Sequence, residues 1–358
     1  MRINISEIDP TRILNMSEYD YIGLTYIPIN DIIYLYPNTI IATIGSILNI
    51  FSVIIYFKKE FSSELFFYFR VLSVCYLIQT TTGTLYSYCN VGRYQTDAIR
   101  KPCAYYLTSF VAFGSFLSYY ESVLEIAILL DRLKLFNKTI KKYLTLKPRL
   151  FCLILFVICF FVHLFYMFVY TPQEFVWYNY KQDGTLERKS VWNVVTSNFA
   201  LSNISRIFII LTYIVRELVT IIFCIGFSLF LSNYMRTYFK NKAKMVNKTV
   251  LTMALSKSRA VIQSKSTQLS SVKQLNNCEE KFLQLVIAQC SLTVFTRSNF
   301  FICCVMALFN YGPLTQMWCA VADFSIFLTP AVSFFLYFFF NKLFKREFLK
   351  LFQINSKQ

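Results

Sequence analysis

Residues 126–138 read Ile126-Ala127-Ile128-Leu129-Leu130-Asp131-Arg132-Leu133-Lys134-Leu135-Phe136-Asn137-Lys138, and this junction decides the fold. An apolar run gives way to an Asp-Arg pair, then to a basic stretch that continues to Lys147. Ionised side chains are expensive in hydrocarbon, so such a change marks where a membrane span meets water. The run upstream, 104–130, is the third of seven. The others lie at about 34–57, 65–88, 150–170, 206–232, 282–309 and 317–340. A helix needs roughly 20 apolar residues to cross a bilayer, and each run supplies about that number. The third is the weakest by hydropathy, because it carries Gly114, Ser115, Ser118, Glu121 and Glu125. Of the 358 residues 56% are hydrophobic and only 15% charged, a balance that suits a helical membrane protein better than a soluble domain. The expected fold is all-α: a seven-transmembrane helix bundle over 34–340, behind an extracellular segment 1–33 and ahead of a tail 341–358.

A net charge of +17 would suggest nucleic acid in a soluble chain. Here it is divided among short loops between apolar spans, which offer no contiguous basic face, so nucleic acid is excluded as a partner. With the N-terminus outside, the inner loops and tail hold 24 of the 36 Lys and Arg residues and the outer segments hold 8. That excess follows the positive-inside rule and sets the orientation. Residues 1–30 lack a basic segment followed by an apolar core, so no cleaved signal peptide is expected and the first span serves as the membrane signal. Asn4-Ile5-Ser6 and Asn15-Met16-Ser17 are glycosylation sequons on the outer side.

Most of the eleven cysteines, among them Cys75, Cys152, Cys159, Cys224, Cys290, Cys303 and Cys304, fall in apolar spans and read as small buried hydrophobes. Cys89 and Cys103 bracket the polar loop 90–102 on the oxidising side and are candidates for a disulfide. His163 stands alone, so a clustered metal site of the kind that membrane metalloenzymes use is not expected, nor is any cofactor or enzymatic reaction. The segment 171–205, with Thr171-Pro172, Asp183-Gly184, Trp177 and Trp192, reads as an outer loop of turns or a hairpin. The segment 236–281, rich in Lys, Ser, Thr and Gln, reads as a mobile connection whose ends continue the fifth and sixth helices. From Asn341 to Phe352, Phe344, Phe348, Leu351 and Phe352 recur at helical spacing among Lys345, Arg346 and Lys350. This pattern predicts an interfacial amphipathic helix on the cationic-attracting inner leaflet of the lipid bilayer.

Several of these stretches together resemble the rhodopsin-like G-protein-coupled receptors, and among them the nematode serpentine chemoreceptor-type branches. Gly45-Ser46-Ile47-Leu48-Asn49 resembles the Asn-bearing motif of the first helix. Asp131-Arg132-Leu133 resembles the third-helix Asp-Arg-Tyr motif with its Tyr replaced. Ser333-Phe334-Phe335-Leu336-Tyr337, followed by Asn341, resembles the seventh-helix Asn-Pro-x-x-Tyr motif, of which only the Tyr remains, with Pro330 earlier. The resemblance implies a plasma-membrane receptor that binds an unknown extracellular ligand and couples to a heterotrimeric G protein. It implies that Asp131, with Glu279 or Glu280, restrains Arg132 in the inactive state, and that Tyr337 swings in beside the freed arginine.

The departures are equally specific. The second span has no Asp at the family's sodium position, near Cys75; the sixth has no Trp-x-Pro; and 171–205 has no Cys to receive the family's usual disulfide, which favours Cys89–Cys103. Gly114 lies eighteen residues before Arg132, where amine receptors carry an anchoring Asp, which argues against an amine bound in that way. Glu121, Glu125, Arg216, Glu217 and Arg297 lie within spans, with Arg70 and Asp323 nearer the ends. Unpaired, each costs about 2–3 kcal/mol on insertion scales, so pairing is the default. Glu121 and Glu125 share one helix face; Arg297 is their expected partner and Asp323 the competitor. A seven-span ligand-gated cation channel of the odorant-receptor type is the alternative, disfavoured because that class keeps its N-terminus inside. A transporter built of repeated halves with broken helices is disfavoured by 8 Gly, 8 Pro and no visible repeat.

Overall fold

The computed structural model describes residues 34–90, 97–143, 145–180, 186–202, 212, 214, 216–238, 259–309 and 313–353. Asn4 and Asn15 lie outside the described residues. A π-helical turn, Tyr34–Asn38, leads into α1, Thr39–Tyr56. Then come α2, Phe67–Asn90, α3, Asp97–Phe136, and α4, Pro148–His163. A five-residue 3-10 turn, Leu164–Phe168, delivers the chain to strands β1, Tyr170–Tyr180, and β2, Leu186–Thr196. Helix α5 covers Arg216–Tyr238; α6 is Arg259–Phe309, α7 Pro313–Phe340 and α8 Lys342–Gln353.

Six of these helices are long and apolar enough to cross a membrane: Tyr36–Tyr56, Ile99–Lys134, Pro148–Phe168, Arg216–Tyr238, Leu283–Met306 and Met317–Phe340. The chain is therefore an all-α, multi-pass membrane protein. Its outward surface agrees: Leu229, Phe161 and Phe339 are each about two-thirds exposed, at 67%, 66% and 66%, as suits side chains that face lipid. The expectation that the third span is weakest needs correcting. It passes with a mean hydropathy of 1.3, whereas α2 is not among the six. Gln79, Thr80, Thr81, Thr82, Gly83 and Thr84 dilute α2's centre. Several of those hydroxyls are nevertheless satisfied within the helix, Thr80 donating to the Tyr76 carbonyl at 2.7 Å and Thr82 to that of Ile78 at 2.6 Å. Such back-bonding lets threonine enter an apolar layer.

The helices pack in sequence order, α1 on α2, α2 on α3, α3 on α4 and α6 on α7, and α7 returns to α1 to close the bundle. Close approach depends on small residues. A Cβ added at Gly45 would stand 2.8 Å from Thr80 Cγ2, and one at Gly83 would overlap the Phe327 ring. Asn49 crosslinks the seam, donating through Nδ2 to the Gly45 carbonyl at 2.8 Å and to that of Pro330 at 3.4 Å.

The two ends of the bundle differ. At one end β1 and β2 form an antiparallel hairpin in register from Tyr170↔Thr196 to Tyr180↔Leu186, as the turn signals suggested. Trp192 of β2 lies 5.7 Å from the Tyr105 ring at the start of α3, and Lys101 Nζ sits 4.9 Å from the Trp192 ring. The Cys89–Cys103 disulfide is present at this end, joining α2 to α3. A second, Cys303–Cys319, joins α6 to α7. Cys303 is therefore not the free buried thiol that its apolar setting suggested: Cys319 faces it from the next helix, a pairing invisible in either span alone. At the other end stand α8, the Asp131–Arg132 pair and the short helix Lys138–Tyr143. Helix α6 begins at Arg259, more than twenty residues before the expected span. Half of the polar segment 236–281 is thus helix rather than connection; residues 239–258 lie outside the described residues.

Candidate functional site

At the α8 end, Arg132 terminates the apolar part of α3 and is only 5% exposed. Its Nη2 donates to Asp131 Oδ2 at 3.2 Å, and Lys134 Nζ donates to Asp131 Oδ1 at 3.3 Å. One carboxylate thus serves two cations. Glu280 on α6 is exposed, and the Glu279 side chain lies outside the described residues. Tyr337 on α7 is fully buried, edge-on to Tyr56 with centroids 5.4 Å apart and to Phe69 at 5.7 Å. Phe344 of α8 completes this aromatic cluster, 5.2 Å from Tyr56 and 5.7 Å from Tyr337. The Tyr337 hydroxyl has no hydrogen-bond partner among the described residues.

Helix α8 is fixed by two devices that the amphipathic pattern did not disclose. Asn341 caps it, its Oδ1 accepting from the Leu343 and Phe344 amides at 3.1 Å each, as a capping Asn does. Glu347 gathers three cations: Lys350 at 2.7 Å, Arg346 at 3.2 Å and, from the loop after α1, Lys58 at 3.2 Å. Lys350 foremost, then Lys58 and Arg346, pull the Glu347 carboxyl down to about 2 against the opposing effect of desolvation.

The bundle interior carries a dense polar network. Glu121 and Glu125 both face inward from α3, but their partners differ from those expected. The Gln79 amide, turned to donate, meets Glu121 Oε2 at 2.5 Å and Oε1 at 2.7 Å. Glu125 accepts from the Tyr76 hydroxyl at 2.6 Å, from Gln289 Nε2 at 3.0 Å and from Thr293. Gln289 also donates to Ser333 Oγ at 2.7 Å, so α2, α3, α6 and α7 meet at one node. Arg297, assigned from sequence to Glu121 or Glu125, pairs instead with Glu217 at 3.4 Å. Its other nitrogens explain the choice: Nε donates to Ser122 Oγ at 2.7 Å and Nη2 to the Ser118 carbonyl and hydroxyl, which turns the guanidinium toward α5. Asp323, the competitor, accepts from the Tyr86 hydroxyl at a long 3.5 Å.

Arg216 joins the same carboxylate, its Nε donating to Glu217 Oε1 at 2.5 Å, while Nη1 donates to Ser115 Oγ at 2.8 Å. The lone histidine is part of this cluster. His163 Nδ1 lies 2.8 Å from the Cys159 carbonyl, so it carries the proton, and Nε2 accepts from Arg216 Nη1 at 3.3 Å. Sequence reading named Arg216 and Glu217 as intramembrane charges without assigning them partners, and passed over Gln79, Tyr76 and Gln289. The available signal was the count of ionised and amide side chains in spans, each of which demands a partner.

Between the network and the hairpin end lies a cavity of about 110 Å³, lined among others by Arg216, Arg297, Ser115, Ser118, Asp323 and Phe327. A smaller space of about 20 Å³ adjoins it, sharing Gln79, Ser118 and Arg297 and reaching Glu121 and Glu125. No family model matches this chain, and no curated protein sequence does.

Proposed function

We propose that this chain is a G-protein-coupled receptor of the plasma membrane, with α2 as the seventh span and the N-terminus outside. The observation that carries the reading is the buried Arg132, ion-paired to Asp131 at the α8 end of α3. A buried arginine next to its counter-charge at a span's end is a two-state element: displacing the pair exposes a cation that a partner's C-terminus can take. The Tyr337 hydroxyl is available to line the opening. The cavity at the opposite end would receive the extracellular ligand, and the polar node around Glu125 would join the two. The orientation rests on the excess of Lys and Arg at the α8 end.

Cells expressing wild type and Arg132→Ala, read with a G-protein dissociation sensor and by staining an N-terminal tag on unpermeabilised cells, test this directly. Signal in wild type, its loss in the variant and outside staining in both are expected. Full signalling by Arg132→Ala would overturn the role of the arginine. A tag at the plasma membrane visible only after permeabilisation would overturn the orientation and favour a ligand-gated channel.

A further inference from the structure

Helix α7 is held by different neighbours on the two sides of Pro330. Toward the hairpin end its partner is α6, and the seam between them has three rungs. Cys303 is bonded to Cys319, the Trp318 indole N–H donates to the Asn299 carbonyl at 3.2 Å, and the Thr296 and Thr329 hydroxyls share a hydrogen bond of 2.5 Å. The covalent rung lies six residues before Phe309, where α6 ends, and six after Pro313, where α7 begins. The two helices are thus joined twice within about two turns, by their connection and by the disulfide. Beside this seam Arg297 ties α6 to Glu217 of α5 and to Ser118 and Ser122 of α3. The hairpin-side half of α6 therefore has partners on three helices.

Toward the α8 end the neighbours of α7 change. Tyr337 packs against Tyr56 of α1 and Phe69 of α2, with centroids 5.4 and 5.7 Å away, and Phe334 against Phe344 and Phe348 of α8 at 5.6 and 5.3 Å. The polar link to α6 on this side runs from Gln289 Nε2 to Ser333 Oγ at 2.7 Å. A count of hydrogens shows that it is weak. An amide nitrogen carries two, yet Gln289 Nε2 lies within bonding distance of three acceptors: Ser333, the Tyr76 hydroxyl at 2.7 Å and the Glu125 carboxylate at 3.0 Å. A carboxylate holds its donor more strongly than a hydroxyl does. Giving up Ser333 leaves both amide hydrogens bonded, and the Ser333 hydroxyl keeps its own bond to the Thr329 carbonyl at 2.7 Å.

The capacity to bend is divided in the same way. Helix α6 contains neither Pro nor Gly over Arg259–Phe309, the residues at which helices most readily kink. In α7, Pro330 has no N–H for the Ile326 carbonyl, and its ring crowds that carbonyl. We infer that Pro330 is a hinge: α6 and the hairpin-side half of α7 form one body, and the α8-side half of α7 bends away from α6 when Gln289 releases Ser333. The ten residues from Pro330 to Phe340 make a lever of roughly 15 Å, so a bend of about 20° moves its end by about 5 Å. The inference deepens the receptor reading, because the gap it opens lies beside Tyr337 at the end where a partner's C-terminus would enter. It rests on that reading only for what enters the gap.

Distances between paired nitroxides test the hinge, on the purified full-length protein in phosphatidylcholine nanodiscs. The labels are carried by genetically encoded residues, so that every cysteine stays as it is. One pair stands at Ile302 and Met317 on the hairpin side, the other at Gln284 and Phe339 on the α8 side, all four positions being exposed. Ser333→Ala removes the latch and leaves the hinge. The α8-side pair is then expected to gain a second distance about 5 Å longer, while the hairpin-side pair keeps its single wild-type distance. Adding Pro330→Ala is expected to return the α8-side pair to one distance. A second distance at the hairpin-side pair, none at the α8-side pair, or one that survives Pro330→Ala would overturn the hinge. Hydrogen exchange on wild type decides even where a variant folds poorly. The amides of 331–334 are expected to exchange faster than those of 296–303, and equal rates or the reverse order would also overturn it. None of these measurements involves a G protein, so failure of the hinge and full signalling by Arg132→Ala are separate results.

Discussion

Arg297 on α6 reaches across the bundle to Glu217 on α5, its Nη1 lying 3.4 and 3.5 Å from the two carboxylate oxygens. Arg216, one residue before Glu217, donates to that carboxylate as well, so α5 and α6 are joined through one buried anion held by two cations.

Removing that anion should be severe. Breaking a buried pair from one side typically costs about 3–5 kcal/mol, and Glu217→Gln breaks two at once, with Arg216 and with Arg297. Glu121→Gln should be much milder, because its partner is the neutral Gln79 amide and two amides can pair. The fraction of each variant that survives heating as a monodisperse detergent-solubilised species gives the comparison. A Glu121 variant as labile as the Glu217 one would reverse the assignment of partners.

Which parts of this were legible in the sequence follows from the range of the forces involved. Apolar runs and the amphipathic pattern of 341–352 are local, and they disclose six of the seven expected spans and α8 without knowledge of any neighbour. The Cys89–Cys103 bond closes a polar loop between consecutive helices, so proximity in the chain was enough to suggest it. Partners inside the bundle are chosen by helix rotation, which hydropathy does not encode. Glu121 and Arg297 have the right charges and lie on packed helices, yet Ser118 and Ser122 turn the guanidinium to α5. The same blindness hid Cys303–Cys319 and Glu347, whose importance comes from a lysine 289 positions away.

The two disulfides both lie at the hairpin end, and each closes a short loop, with partners 14 and 16 residues apart. Loops of about 15 residues correspond to roughly 3 kcal/mol apiece in the chain-entropy treatment. Cys89→Ser and Cys303→Ser should each lower the melting temperature of the purified protein, and reductant should do the same to wild type but not further to the double variant. Alkylation of denatured, unreduced protein should spare Cys89, Cys103, Cys303 and Cys319. Labelling of Cys303 under those conditions would show that the second bond does not form.

Tyr337→Phe separates packing from signalling. Its ring is enclosed by Tyr56, Phe69 and Phe344, whereas its buried hydroxyl has no partner among the described residues. Deleting an unsatisfied buried hydroxyl should leave stability unchanged or raise it by about 1 kcal/mol. If the receptor reading is right, the hydroxyl is used only once α6 opens, and the variant should signal less at equal surface expression. A Phe variant less stable than wild type would mean that the hydroxyl is already bonded in the closed state.

The tie between α8 and the loop after α1 should be acid-resistant. Glu347 holds Lys350, Arg346 and Lys58, and its carboxyl is pulled from 4.5 to about 2. A depressed carboxyl contributes its stabilisation in full above the unfolded value of 4.5 and loses it as the pH falls toward about 2. The cations are partly exposed, so the gain is modest and falls with salt. A nitroxide label at Leu349, on the exposed side of α8, should therefore stay immobile from neutral pH down through 4.5 and loosen only below it. Glu347→Gln should be loose throughout, with no pH dependence in that window, and Lys58→Met should be equally loose, because Lys350 and Arg346 belong to α8 itself and only Lys58 reaches Glu347 from another element. Release of the wild-type helix with a midpoint at 4.5, or a Gln variant as immobile as wild type, would show that Glu347 does not hold α8.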